Sequence, residues 1–214
     1  MGPDSQLASS VTEAEPISIK ELEPEDKARS ATYAWLASLL RKAPDESVLE
    51  RLRALSEDDS APAAGLPGAW VSLKLAADHG DADSINDEFH QLFIGLGRGQ
   101  LVPFASWYLT GFLMERPLGR LRDDLRALGF ERQDGVREPE DHVAALLEVM
   151  AMLVQDPETP LEAQRKFFSD HISTWIGRFF SDLEAAKEAS FYRAVGRLGS
   201  EFCNVETKGL AMLV

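Results

Sequence analysis

A chain of 214 residues, 44% of them hydrophobic, is long enough to bury one good core, so a single domain is expected. Its 22 basic and 36 acidic side chains leave a formal charge of −14, which repels phosphate backbones, argues against a nucleic-acid partner and favours a basic peptide. The lone Cys203 excludes an internal disulfide and a cysteine-based zinc site, and His79, His90, His142 and His171 form no HExxH pattern.

No apolar run approaches the roughly 20 residues of a membrane helix, so no stable membrane insertion is expected. Residues 1–16 lack the basic start and apolar run of a signal peptide, which points to the cytoplasm. Residues 1–24 are rich in Ser, Glu and Pro and read as a mobile tail; residues 25–214 read as one all-helical, all-α domain. A domain of this length corresponds to roughly eight to ten helices.

The first helix starts just after Pro24, with Glu25 and Asp26 in its first turn, and buries Trp35, Leu36, Leu39 and Leu40. Pro44 and Asp45 restart the chain, and Val48, Leu49, Leu52 and Leu55 mark a short second helix. Residues 56–68 read as a loop, followed by a helix from about Ala69 to Asp78. Asp83 or Ser84 is the expected cap of the next helix, which carries Ile85, Phe89, Leu92 and Phe93 on one face.

Gly95, Gly97 and Gly99 then alternate around Arg98, and Pro103 opens an aromatic segment with Phe104, Trp107 and Tyr108. That helix is expected to continue through Phe112 and Leu113 to about Glu115. Pro117 starts another, with Leu118, Leu121, Leu125 and Leu128 on one face and Gly129 as its stop. Residues 133–137 read as a loop. Pro139 suits the first position of a helix whose stripe is Val143, Leu146, Leu147, Met150 and Val154. From Phe167 to Leu183 the large apolar groups are too many for one surface face, so this part runs through the middle of the domain. A last helix carries Phe191, Val195, Leu198 and Phe202. No stretch alternates with period two between hairpin turns, so no sheet is expected.

The chemistry these residues suggest is recognition. The glycine run is preceded by a helix and lacks Gly-Lys-Ser/Thr, so it reads as a turn and not as a phosphate cradle. Asp141 and His142, consecutive on a helix, point about 100° apart and make a poor acid–base pair. Asp141 is expected to cap the free donors of its own first turn. His142, near the same positive helix end, is expected to be neutral. A rival reading is a hydrolase using Asp141 and His142, with a metal held by Glu138 or His90. Phe89 and Leu92 suit a core, whereas Trp107 and Tyr108 pair an apolar body with a polar atom, as a peptide groove requires.

The segments Glu88–Gly95 (EFHQLFIG), Pro103–Tyr108 (PFASWY), Pro117-Leu118, Leu128-Gly129 and Glu138–His142 (EPEDH) together resemble the TorD/DmsD/NarJ family. Phe167–Trp175 (FFSDHISTW) and Phe191–Gly196 (FYRAVG) fit the same pattern, and the resemblance spans about residues 28–205. It implies a cytoplasmic, all-helical chaperone with no catalysis, cofactor or metal of its own. Such chaperones bind the twin-arginine leader or the apo catalytic subunit of a molybdoenzyme and hold it for molybdopterin insertion before export. By position the peptide site comprises Leu92, Phe93, Pro103, Ser106, Tyr108, Asp141 and His142, with Trp107 added for its chemistry. The two motif segments are expected to meet as one open surface. Val102 stands where many members have a first proline, and Ala105 where an acidic residue or glycine is frequent, so these positions do not specify a leader. The resemblance leaves open a monomer or homodimer, and an alternative role as assembly scaffold for a membrane-bound reductase without leader recognition.

Overall fold

The computed structural model describes residues 22–55, 65–95, 99–132, 135 and 137–212. Among them are ten α-helices and one π turn, with no strand. The helices are α1 (Pro24–Arg41), α2 (Glu46–Arg53), α3 (Gly65–His79), α4 (Ala82–Phe89), α5 (Ala105–Thr110), α6 (Arg116–Ala127), α7 (Val143–Gln155), α8 (Leu161–His171), α9 (Ile176–Ala185) and α10 (Phe191–Ala211). The π turn, His90–Ile94, directly continues α4. The all-α expectation therefore holds. Most of the expected tail lies outside the described residues, and α1 begins at Pro24 with its two acidic residues in the first turn.

The core runs where the apolar density placed it. Phe167, Phe168, Ile172, Trp175, Ile176, Phe179, Phe180 and Leu183 are all buried. Around them α1 lies along α7, while α10 packs on α9 and α3. Two close approaches depend on glycine: a Cβ on Gly199 would fall 2.2 Å from the Phe180 ring, and one on Gly99 would fall 2.5 Å from the Phe93 carbonyl carbon. The stripe of α1 is led by buried Tyr33, and Trp35 is only partly covered, with the Arg51 guanidinium 4.7 Å over its ring.

Several expected boundaries shift, each for a local reason. α3 already begins at Gly65, inside the expected loop; residues 56–64 lie outside the described set. Asp81, not Asp83 or Ser84, caps α4 by accepting the Ser84 N–H at 3.0 Å. α5 stops at Thr110 because Gly111 turns left-handed (φ 83°) and donates its N–H to Trp107 O at 2.8 Å. α7 starts at Val143, four residues after Pro139, because the intervening residues form a turn closed by His142 N–H to Pro139 O. Residues 96–98, which include Gly97 and Arg98, and residues 133, 134 and 136 of the expected loops lie outside the described set.

Two buried carboxylates fasten the long helices. Glu88, near the end of α4, accepts all three leading N–H groups at the start of α10: Ser190 and Tyr192 on Oε1 at 2.8 and 2.7 Å, Phe191 on Oε2 at 3.1 Å. An anionic carboxylate at the positive end of a 21-residue helix is favourable, and it satisfies donors that would otherwise be orphaned. Arg29 of α1 forms a two-pronged pair with Glu206 of α10, which also accepts the Tyr33 hydroxyl.

Candidate functional site

The two motif segments meet. Phe104 and His142 form a single antiparallel bridge, and each is the residue that precedes a helix. The first N–H of α5, on Ala105, donates to Asp141 O at 2.9 Å, and the first N–H of α7, on Val143, donates to Pro103 O at 2.8 Å. The second pair of donors is met by side chains. Ser106 N–H donates to Asp141 Oδ2 at 2.9 Å, and Ala144 N–H donates to His142 Nδ1 at 3.2 Å. Four donors at two helix starts are thus satisfied at one joint, three across it and one by His142 within its own helix start, which explains why an Asp-His pair follows the turn at Pro139.

This arrangement corrects the expected roles. Asp141 caps a helix, but α5 and not the helix that follows it in sequence. His142 is the cap of α7, so the two side chains serve different helices and are not neighbours on one. Burial pushes the His142 imidazole down to about 4, with nearby Arg41 acting in the same direction, so the ring is neutral as expected. Its Nε2 lies 3.8 Å from Glu138 Oε1 and its ring meets Phe104 edge-on at 5.0 Å. Burial pushes the Glu138 carboxyl up, with Arg41 opposing. Neither Asp141 Oδ1 nor Ser106 Oγ has a hydrogen-bond partner among the described residues.

Of the eight residues singled out by sequence, Pro103, Ser106, Asp141 and His142 are brought together at the joint, Trp107 and Tyr108 follow on α5, and Leu92 and Phe93 lie apart on the π turn; none of this makes an open surface. Leu92, Pro103, Ser106, Asp141, His142 and Tyr108 are buried, and only Phe93 and Trp107 are partly exposed. The physical reason is the joint itself: the starts of α5 and α7 face each other, so the groups that cap them lie between two backbones, unlike the water-facing cap Asp81 of α4. Tyr108, 9% exposed, stacks near Trp175 and Phe179, gives its hydroxyl to Asp182 at 3.0 Å and has the Arg178 guanidinium over its ring. Leu92 and Phe93 sit on the π turn, where Phe93 packs on Phe89 and Tyr192.

What is exposed lies just beyond the motifs. Leu109 in the last turn of α5 and Phe112, Leu113 and Met114 in the turn that follows are all solvent-exposed, with Phe112 at 68% and Met114 at 72%. Met114 holds a left-handed φ of 58°, a conformation that costs a non-glycine residue ~1 kcal/mol or more. Four large apolar side chains within six residues, at the end of α5 and on the turn after it, form an apolar patch of the sort that marks an interaction site. On the other arm, Glu138, Pro139 and Glu140 line a cleft of about 700 Å³ floored by Leu125, Phe130, Val149 and Met152. Its four arginines and four glutamates cancel, and Glu140 is held by Arg122 and Arg132. The exposed turn was missed from sequence because Phe112 and Leu113 fit a continuing helix; Gly111 was the signal that it ends.

His90, a candidate metal ligand in the hydrolase reading, is exposed and bonds through Nδ1 to Asn86 O, remote in role from Asp141 and His142. Among the described residues no three His, Cys, Asp or Glu side chains are grouped to hold a metal ion, and no helix is long and apolar enough to cross a membrane.

Residues 59–181 match the family model described as nitrate reductase delta subunit. The chain is 26% identical to the chaperone protein TorD of Vibrio cholerae (strain O395), over 92% of this chain and 98% of the relative. It is also 26% identical to the chaperone protein TorD of Aliivibrio fischeri, over 90% and 99%. A crystal structure of a candidate redox enzyme maturation protein from Archaeoglobus fulgidus shares the fold, with a TM-score of 0.53 and 18% identity over 89% of this chain and 99% of that one.

Proposed function

The chain belongs to the nitrate reductase delta subunit family, and from that premise we propose that it is a cytoplasmic maturation chaperone for a molybdoenzyme. It binds the twin-arginine leader or the apo catalytic subunit and holds it for molybdopterin insertion before export. The observation that carries this reading is the exposed apolar turn, Leu109 to Met114, mounted on the helix that the motif joint fixes. A folded monomer has no internal use for four water-facing apolar side chains, whereas an unfolded guest does.

In this reading the eight motif residues divide the work. Asp141, His142, Ser106 and Pro103 lock the starts of α5 and α7; Leu92 and Tyr108 seat the joint on the core; Phe93 and Trp107 border the guest. A leader is disordered when free, so ordering it costs energy, and reversible binding follows. The catalytic partner does the chemistry; the chaperone supplies shape and apolar surface.

The test is calorimetric binding of full-length and leader-deleted apo client to the wild type and to Phe112→Ser/Met114→Ser. Both substituted side chains face water, so helicity by circular dichroism should be unchanged while affinity falls at least tenfold. Unchanged affinity removes the turn from the site. Loss of binding with leader deletion assigns recognition to the leader. Binding that persists without the leader favours the scaffold reading.

A further inference from the structure

A second groove, sharing no residue with the joint or the turn, lies between the start of α1, the link from α7 to α8, the start of α3 and the end of α10. It has a volume of about 920 Å³, near the upper end of small-molecule pockets. Its apolar side includes Trp70, Phe202 and Leu210, and it opens to water at Leu161 and Val205, which are 40% and 49% exposed. Its charge is lopsided. Glu23, Glu25, Asp26, Asp156, Glu158 and Glu206 face a single guanidinium, Arg29, a net of −5 among the described residues. Asp26 and Glu206 are spent on Arg29, but Glu23, Glu25 and Glu158 are exposed and make no ion pair among the described residues.

We propose that this groove docks a cationic amphipathic helix of a polypeptide partner, with its apolar face on Val205, Leu161 and Trp70 and its basic edge along Glu25 and Glu158. The charge singles out the occupant. The cleft beside the joint has balanced charge and gives a cation no preference, whereas this groove does. The chain's own segments nearest to it in sequence are unsuited on the same ground. Residues 1–21 carry four acidic groups against Lys20, and residues 56–64 carry three and no basic one. A second copy of a chain with charge −14 is disfavoured in the same way.

Taking the partner to be the client rests on the chaperone reading, and it divides the client between two surfaces: an apolar stretch at the turn and a basic helix in the groove. The groove's preference for charge does not rest on that reading. The probe is a synthetic 18-residue helix of leucine on one face and arginine on its edge, with a glutamate-edged counterpart as control. Binding is followed by peptide anisotropy and by Trp70 emission, with Trp70→Phe identifying that signal.

The arginine peptide should bind at least tenfold more tightly than the glutamate peptide at low salt, and weaken as salt rises. Glu25→Lys/Glu158→Lys should cut its affinity roughly tenfold or more, and Val205→Asp should do the same; all three positions are exposed, so the fold is retained. Phe112→Ser/Met114→Ser should leave peptide binding unchanged. Equal affinity for both peptides, or indifference to the groove variants, overturns the proposal. Loss of peptide binding in the turn variant overturns it too, by placing the peptide elsewhere. Failure of the turn variant to affect the client would count against the chaperone site alone.

Discussion

His142→Asn separates the capping role of this residue from its titration. Asparagine is a good helix cap and can accept the Ala144 N–H as Nδ1 does now, so stability at pH 7 should stay within about 1 kcal/mol of the wild type. The pH dependence should not survive. In the folded chain the imidazole is held near 4 by burial, against an ordinary value of 6.5. The unfolded chain therefore binds a proton that the folded chain refuses between those values. The folded value is depressed, so stability is fully present above about pH 6.5 and is lost as pH falls towards 4. At ~1.4 kcal/mol per pH unit the interval corresponds to about 3 kcal/mol. Glu138 opposes this, since burial raises its carboxyl and favours the protonated folded form, but it is partly exposed and its contribution is screened. Urea unfolding at pH 7, 6, 5 and 4.5 should show the wild type losing about 2–3 kcal/mol more than His142→Asn across the range. Parallel losses in the two proteins would refute the buried neutral imidazole. A variant already destabilised by more than ~2 kcal/mol at pH 7 would refute the view of His142 as a replaceable cap.

The same joint predicts an asymmetry at Asp141. Asp141→Ala strands the Ser106 N–H and should cost about 1–2 kcal/mol, whereas Asp141→Asn keeps an acceptor and should cost less, by thermal or urea unfolding. Glu88→Ala removes the acceptor for three N–H groups at once; a loss of about 3 kcal/mol or more is expected, with hydrogen exchange accelerated first at Ser190, Phe191 and Tyr192. Glu88→Gln should recover only part of it, because its amide presents a donor to one of those N–H groups. Gly199→Ala drives a methyl group into the Phe180 ring and should destabilise by about 1–3 kcal/mol in urea unfolding, although alanine is the better helix former.

The helical class, the central position of Phe167–Leu183 and the approximate span of most helices were legible in the sequence, because apolar side chains recur at the helical period and that period is local information. The neutral state of His142 was expected from its place near a helix start, but the cause is mainly burial, with Arg41 adding to it, and both are tertiary. The role of Glu88 was not legible: it heads a motif segment, but only the approach of α10, about a hundred residues later, makes it a triple acceptor. The place of Asp141 was half legible. Sequence identified a capping carboxylate but assigned it to its own helix, because nothing local shows that α5 starts beside it.

The motifs themselves mark this division. By itself the sequence determined which segments matter and that they belong to one family pattern, since residue types and order are properties of the chain. Only the tertiary structure decided that Pro103, Ser106, Asp141 and His142 are buried in a joint between two helix starts, and that the large apolar side chains left in water beside it lie around Gly111. Capping donors and a guest-binding surface compete for the same side chains, and which demand a residue meets depends on what the folded chain brings against it.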